Sequence, residues 1–497
     1  MGERYPTRRV TSRAVGRARK YRRGASLDLD ITGYAFGGKG IAKIETEEGQ
    51  FTVFVQNAFP GQRVRARVTN CKARYAECSL DEVLQRAPDE VERPYQPIPG
   101  APYALVPIER QHALKASTTL ELFRRIGEVE NVDALYGGFV ASPSHWHYRN
   151  KMEYSFSAIV HDLESGEKVD RFGLGFKHRG TWWAVEDLDR DSGLFDEDVE
   201  RDLHQIRAFC EASGLPPWHP PQREGFFRFL VVRKSVAHNT LLVNLVTSST
   251  GLKRWDMDGF VRLLHELWPG RVAGVLHTIN DDTGERVEAR AGTTRLVDGE
   301  ERITEVLHGL AFDISMSSFF QTNPQCAERL YAEVVEAVVR DDERLDGEVI
   351  MDLFCGTGTI AQLLAQATGR PIIGVDLVES AIADARVSAE RNGNRGIEFF
   401  AADVGKFLLE YPEYVGRIRT IVLDPPRAGI SPKTLRKVIR LDAPRIVYVS
   451  CNPATQARDL KTLAEWGYAL QSFKLVDQFP HTAHVESVAV FEKIPTA

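Results

Sequence analysis

Val349-Ile350-Met351-Asp352-Leu353 is a short apolar run that breaks into Phe354-Cys355-Gly356-Thr357-Gly358-Thr359, after which the pattern turns helical. A strand, a glycine loop and a helix in that order bring backbone N–H groups where a ligand can approach closely. Further on, Gly374-Val375-Asp376 closes a second apolar run with an acid suited to ribose hydroxyls. The alternation continues outward: strands are expected at 348–353, 372–375, 397–401, 420–423 and 446–449, with helices at 360–367, 381–391, 435–439 and 454–465. Apolar strands separated by helices imply an α/β fold with a doubly wound, mostly parallel sheet, assigned to 311–497. Ligands of such sheets bind outside the carboxyl ends of the strands.

The DLFCGTGT wording of residues 352–359 lacks the third glycine of a dinucleotide fingerprint. It resembles the S-adenosylmethionine loop of class I methyltransferases, a Rossmann-like fold. That resemblance implies cofactor contacts from Phe354, Gly356, Gly358 and Asp376, with Asp403, at the end of the third strand, suited to the adenine amino group. Upstream, Ser317-Ser318-Phe319-Phe320-Gln321-Thr322-Asn323-Pro324 reads in isolation as a capped turn.

Thr420-Ile421-Val422-Leu423-Asp424 is a strand stopped by Pro425-Pro426, because proline neither donates to a ladder nor lets its predecessor turn helical. Arg427 follows where amino-group methyltransferases carry an aromatic that stacks the base, which argues against adenine-N6 chemistry. The next strand, Ile446-Val447-Tyr448-Val449-Ser450, ends in Cys451-Asn452-Pro453. Asn is a good N-cap and Pro suits the first helical position, so a helix is expected directly behind Cys451. A helix N-terminus stabilises thiolate and lowers a cysteine pKa from ~8.5 toward ~7 or below, the environment expected for Cys451. Cys355, inside the glycine loop, is the rival thiol and is explained by close packing; a buried core thiol is the alternative reading of either.

Uracil C5 is a poor nucleophile. Methylating it calls for a thiolate that adds at C6, and for a base that then removes the C5 proton so the thiolate can leave. The base candidate lies in Phe479-Pro480-His481-Thr482-Ala483-His484-Val485-Glu486, ahead of an alternating strand at 487–492. The HxxH spacing there suggests a metal, but the segment is loop-like and shows no third ligand, so no metal is expected.

DPPRAG (424–429), YVSCNP (448–453) and FPHTAHVE (479–486) together resemble the RNA 5-methyluridine methyltransferases, which act on tRNA and 23S rRNA. The resemblance runs from the N-terminal barrel onward. It implies that Cys451 is the nucleophile and Glu486 the proton acceptor, that Gln321 contacts the cofactor, and that Asp424 binds cofactor and shapes the site. Tyr148-Arg149-Asn150-Lys151-Met152-Glu153-Tyr154 matches a family motif at the RNA-facing site, making Arg149, Lys151 and Arg427 candidates for holding RNA; strand-surface charge is the bland reading.

The remaining chain fits this frame. Residues 25–86 alternate in short stretches broken by glycines, as in Gly37-Gly38-Lys39-Gly40-Ile41-Ala42 and Phe51-Thr52-Val53-Phe54-Val55, the texture of a small β-barrel. The run resembles a TRAM domain, an OB-like RNA-binding barrel; a barrel without ligand is the alternative. A proline-rich linker (87–104) follows, then a helix at 105–128 expected to pack on the methyltransferase domain, and an α+β domain at 129–310 that binds RNA. Residues 1–24 hold nine Arg or Lys against one acid, so this segment is +8 while the remaining chain is −14. Such a tail suits phosphate contacts or stands solvated; with little Ser it is a poor transit peptide.

Across the 497 residues, 43% hydrophobic and 27% charged composition is ordinary for a globular protein, and no apolar run reaches the ~20 residues that span a bilayer. Six cysteines are scattered without a CxxC pair, as in a reducing compartment. Many TRAM-bearing relatives hold an iron–sulfur cluster through cysteines that are missing here from the linker and from Asp187-Leu188-Asp189-Arg190-Asp191-Ser192-Gly193, so no cluster is expected. The sum is a cytoplasmic, monomeric RNA enzyme, with 23S rRNA favoured over tRNA by the TRAM barrel. A cytosine-C5 enzyme and a non-catalytic RNA-binding factor are the competing readings.

Overall fold

The structure is a computed structural model that describes residues 21–46, 49–287, 292–341 and 347–494. Most of the basic tail, residues 1–20, lies outside the described residues. The chain divides into two compact units, one of Met1–Arg93 with Pro102–Thr118, the other of Pro94–Ala101 with Thr119–Ala497.

In the first unit six strands form one sheet: β1 (Ser26–Asp30), β2 (Gly33–Ala35), β3 (Lys39–Thr46), β4 (Gly49–Gln56), β5 (Arg63–Cys71) and β6 (Tyr75–Gln85), in the order β1-β5-β6-β4-β3-β2. Strict alternation sends Val64, Ala66 and Val68 inward to meet Val53, Val55 and Ala76 in one apolar core. Gly40 is required there: a Cβ would lie 2.7 Å from the Ala58 carbonyl oxygen. Tyr21 stacks on Phe51 with centroids 4.9 Å apart.

The second unit holds the other sheets. The helix Ile108–Arg125 ends in it with Phe123 fully buried, 4.6 Å from the Phe473 ring. Strand β7 (Tyr136–Val140) follows. A seven-stranded sheet is built from β8 (Lys151–His161), β9 (Lys168–Lys177), β10 (Val185–Asp187), β11 (Phe227–Lys234), β12 (Leu241–Thr247), β13 (Val272–Ile279) and β14 (Thr293–Gly299). The helices Glu197–Ala212 and Met257–Leu267 accompany it, and β15 (Arg302–Leu307) with β16 (Leu310–Ser315) forms a separate hairpin.

The eight-stranded sheet comprises β17 (Val349–Leu353), β18 (Ile372–Asp376), β19 (Ile397–Ala401), β20 (Ile418–Leu423), β21 (Arg445–Ser450), β22 (Tyr468–Val476), β23 (Glu486–Lys493) and β7, ordered β19-β18-β17-β20-β21-β23-β22-β7. β17 to β21 are parallel, whereas β23 runs antiparallel between β21 and β22. β7 comes from the stretch assigned by sequence to the α+β domain, yet it pairs with β22, so this sheet reaches back across the boundary at 310. Strand order reverses between β17 and β20, and the crevice beyond their carboxyl ends is the expected ligand site of such a sheet.

Candidate active site

The glycine loop leaves β17 at that crevice. Phe354 takes a left-handed φ of 67°, uncommon for a bulky residue, held by N–H bonds from Phe354 and Cys355 to the Val375 carbonyl at 2.8 and 3.1 Å. Gly358 (φ 73°) is needed for two reasons: its conformation, and a Cβ that would lie 2.6 Å from the Phe399 ring. Asp376, expected to bind ribose, also fastens the loop, accepting from Gly356 N at 3.0 Å and Val378 N at 2.8 Å. Asp403 sits two residues beyond the end of β19 and caps the helix Val404–Glu410 by accepting from Lys406 N at 2.9 Å, which leaves its second oxygen open.

Gln321 is held by a buried network that sequence did not reveal. Gln478 Nε2 donates to Gln321 Oε1 (3.2 Å) and to the Asn323 carbonyl (3.1 Å), and Asn150 Nδ2 donates to the Gln321 carbonyl (3.0 Å). Asn323 caps the helix Pro324–Val339 and donates to Ser142 Oγ at 3.0 Å. The motif around Tyr148 is thereby tied to this edge, and Tyr148 itself donates to the Pro480 carbonyl at 3.0 Å.

Cys451 follows β21, and Glu486 begins β23. The register pairs Ser450 with Ser487, so the next positions outward set Cys451 beside Glu486. An antiparallel strand thus delivers an acid from the end of the chain to the same edge as the thiol. Asp424 follows β20, the neighbour of β21, and Arg427 stands exposed three residues on, within 3.5 Å of His484 Nε2.

The electrostatics correct one expectation. The Cys451 thiol is pushed up to about 11, first by burial and then by the charges of Glu486 and Asp424, with Arg427 opposing. The helix Pro453–Glu465 begins where expected, but its end gives the thiol little: Pro453 has no N–H, Asn452 Oδ1 accepts from Ala454 N, and the Asn452 carbonyl accepts from Thr455 N and Gln456 N. The acids are likewise raised. Burial and Asp424 push Glu486 up to about 8, with Arg427 opposing. Burial brings Asp424 to about 7, and burial with Asp424 and Asp376 brings Asp352 to about 8. Both Asp352 carboxylate oxygens lie buried without a hydrogen-bond partner of normal geometry.

Four acids crowd this edge with Arg427 as the cation acting on the thiol and Glu486. Such a donor set fits a cationic sulfonium, whose charge favours the ionised form of each carboxyl. Tyr331, buried on the helix Pro324–Val339, interacts with Gln321 and feels the charges of Asp424, Glu486 and Asp352, so it belongs to the same cluster. Tyr331 and Asp352 escape a sequence reading because each sits within an ordinary apolar pattern.

Lys151 is elsewhere. Its Nζ pairs with Glu153 at 2.9 Å and lines a cavity on the central sheet, so it is not a free cation at the catalytic edge. Arg149, half-buried, has an Nε without a partner. His481 stacks on Trp146 (centroids 3.7 Å apart) while His484 faces Arg427, so the two histidines of the HxxH spacing serve different neighbours. Among the described residues no three His, Cys, Asp or Glu side chains are grouped to hold a metal. Cys71 is exposed and Cys78 buried on adjacent strands.

The profile of the tRNA (Uracil-5-)-methyltransferase family matches residues 261–494, and that of the TRAM domain matches 20–80. A relative named an uncharacterized RNA methyltransferase, from Clostridium tetani, is 35% identical over 94% of this chain and 97% of its own length. The chain belongs to the RNA (uracil-5-)-methyltransferase family. Another relative, from Chlorobaculum tepidum, is 37% identical over 95% of this chain and 98% of its own. The crystal structure of the Pyrococcus abyssi tRNA (uracil-54, C5)-methyltransferase in complex with S-adenosyl-L-homocysteine is similar with a TM-score of 0.68, at 26% identity over 94% of this chain and 99% of that one. As a member of this family, the chain is an S-adenosylmethionine-dependent RNA (uracil-C5)-methyltransferase with an N-terminal TRAM domain.

Proposed function

We propose that this chain forms 5-methyluridine in RNA by covalent catalysis, with Cys451 as nucleophile and Glu486 as proton acceptor. The observation that carries the reading is the register that sets Cys451 beside a buried Glu486 at the carboxyl edge of the sheet. Cys451 Sγ adds to C6 of the uracil, and the C5–C6 π pair moves into an enolate. S-adenosylmethionine, which the Phe354–Gly358 loop, Gln321, Asp376, Asp403 and Asp424 would hold, would supply the methyl group to C5, its sulfur keeping the S–CH3 bond pair and leaving as S-adenosylhomocysteine. Glu486 accepts the C5 proton, the C6–S bond breaks, and Sγ leaves as thiolate.

Proton bookkeeping gives the two groups different demands. With its thiol up at about 11, Cys451 is neutral at rest, and Arg427 is the charge that favours thiolate. With its carboxyl at about 8, Glu486 is mostly protonated at neutral pH and acts as a base once ionised. Arg427 therefore has a role at the thiol, beyond the RNA contact expected of it.

The RNA we propose is 23S rRNA, in the cytoplasm. Two RNA-facing modules, the TRAM domain and the central sheet, suit a uridine embedded in a long folded RNA. A tRNA uridine is the second reading, favoured by the likeness to the Pyrococcus abyssi tRNA (uracil-54, C5)-methyltransferase over 94% of this chain. Mapping 5-methyluridine in the rRNA and tRNA of a deletion strain tests both. Loss of one uridine methyl from 23S rRNA is expected, loss from tRNA favours the second reading, and loss of 5-methylcytidine alone would overturn uridine chemistry.

A further inference from the structure

A cavity of about 820 Å³ opens on the central sheet, and neither Cys451 nor Glu486 lines it. Its floor follows from register. Glu153, Val231, Asn244, Leu276 and Leu296 are successive cross-strand partners on β8, β11, β12, β13 and β14. The next row on the same face holds Phe229, Val246, Thr278 and Thr294. Phe229, Leu276 and Leu296 give the cavity apolar walls, and Asn244, Thr278 and Thr294 give it a polar strip.

That strip is organised. Thr278 Oγ1 donates to Asn244 Oδ1 at 3.0 Å and lies 2.8 Å from Thr294 Oγ1. Asn244 is 3% exposed, and with its carbonyl engaged its amide N–H groups have no side-chain or backbone acceptor among the described residues. The unused donor faces a partly apolar cavity, the arrangement that reads a planar ring with a carbonyl or ring-nitrogen acceptor. At one side stands the Lys151–Glu153 pair. Arg233, the cross-strand partner of Lys151, is 3% exposed, donates from Nη2 to the Ser318 carbonyl at 2.8 Å, and has unpartnered Nε and Nη1 atoms. Charged residues of both signs complete the lining, Lys151, Arg286 and Arg302 with Glu153, Glu285 and Glu301, and the cations suit an anionic tether on the ring.

We propose that this cavity binds a second, unstacked nucleotide of the substrate RNA, its base against Phe229, Leu276 and Asn244 and its phosphate toward Lys151 and Arg286. The volume lies within the range of about 300 to 1,000 Å³ usual for small-molecule sites. Ser315 and Ser317 line the cavity, and the chain then runs through Phe319 and Phe320 to Gln321, so the occupant bears on the segment that carries a proposed cofactor contact. The inference rests on the RNA-methylating reading and adds to it a site that selects RNA by a neighbouring base.

The test is zero-length ultraviolet crosslinking of the full chain to total RNA from the deletion strain, followed by nuclease digestion and peptide mass mapping. A nucleotide adduct on peptides from β11 to β14 is expected. In Leu296→Asp, on the exposed edge strand β14, which sets a like charge against the phosphate and removes an apolar wall, and in Asn244→Ala, which removes the base-reading donor, its yield should fall about tenfold relative to adducts elsewhere. S-adenosylhomocysteine binding by both variants reports that they fold. No adduct on those peptides in the wild type, or an adduct unchanged in both folded variants, overturns the proposal. Nucleoside analysis of the same wild-type mixtures reports 5-methyluridine separately, so failure of the methylation reading is distinguished from failure of this one.

Discussion

Glu486→Gln keeps the shape of a fully buried side chain while removing its ability to accept a proton. In the wild type burial and Asp424 raise this carboxyl from 4.5 to about 8. At pH 7 about one-tenth of it is ionised, so the elimination step should speed up about tenfold between pH 7 and pH 9 and then level off. The same shift acts on stability. A carboxyl raised in the folded state contributes stability that is fully present below its unfolded pKa, and that is lost as pH rises through its folded value. The window is pH 4.5 to 8, and the loss approaches roughly 4 to 5 kcal/mol at 1.36 kcal/mol per pH unit. The Gln variant should therefore be relatively more stable than wild type at pH 9 than at pH 5, by denaturant titration at each pH. In single-turnover assays it should build a covalent protein–RNA adduct and release little 5-methyluridine. Wild-type turnover without an adduct, or a wild-type rate flat from pH 6 to 9 with elimination limiting, would refute the assignment.

Arg427→Gln removes the cation that favours the Cys451 thiolate; adduct formation should slow and its pH profile should move to higher pH, read by stopped-time gel shifts on a wild-type Glu486 background. Gly358→Ala places a Cβ at φ 73° and 2.6 Å from Phe399; a stability loss of about 1 to 3 kcal/mol and weakened S-adenosylhomocysteine binding are expected, from denaturation and calorimetry.

Features local in sequence were legible. The glycine loop, the strand ending at Asp424 and the Cys451-Asn452-Pro453 helix start carry their own turn and cap chemistry, and the strands and helices around them fall within a few residues of expectation. What was not legible depends on partners far away. Tyr136-Gly137-Gly138-Phe139-Val140 has no strong strand signature and becomes a strand through β22, more than 300 residues later by number. Gln478 looks like a polar residue in a loop until it meets Gln321 and Asn323. The thiol departs from expectation for a local reason: the helix N-terminus is present, but Asn452 takes up its N–H groups, leaving burial and two acids to dominate. Lys151, a candidate RNA contact from its motif, is placed by its strand register at the central cavity beside Glu153, a position that no local signal gives.

The most direct measurement uses substrate RNA carrying 5-fluorouridine, whose C5 fluorine cannot be removed as a proton, so that the cycle stops at the methylated adduct. Incubated with S-adenosylmethionine and digested, the complex should yield a single modified peptide, the one bearing Cys451, heavier by a methylated fluorouridine nucleotide. An adduct on the Cys355 peptide, or 5-methyluridine formed by a Cys451→Ala protein on ordinary RNA at the wild-type rate, would contradict the account.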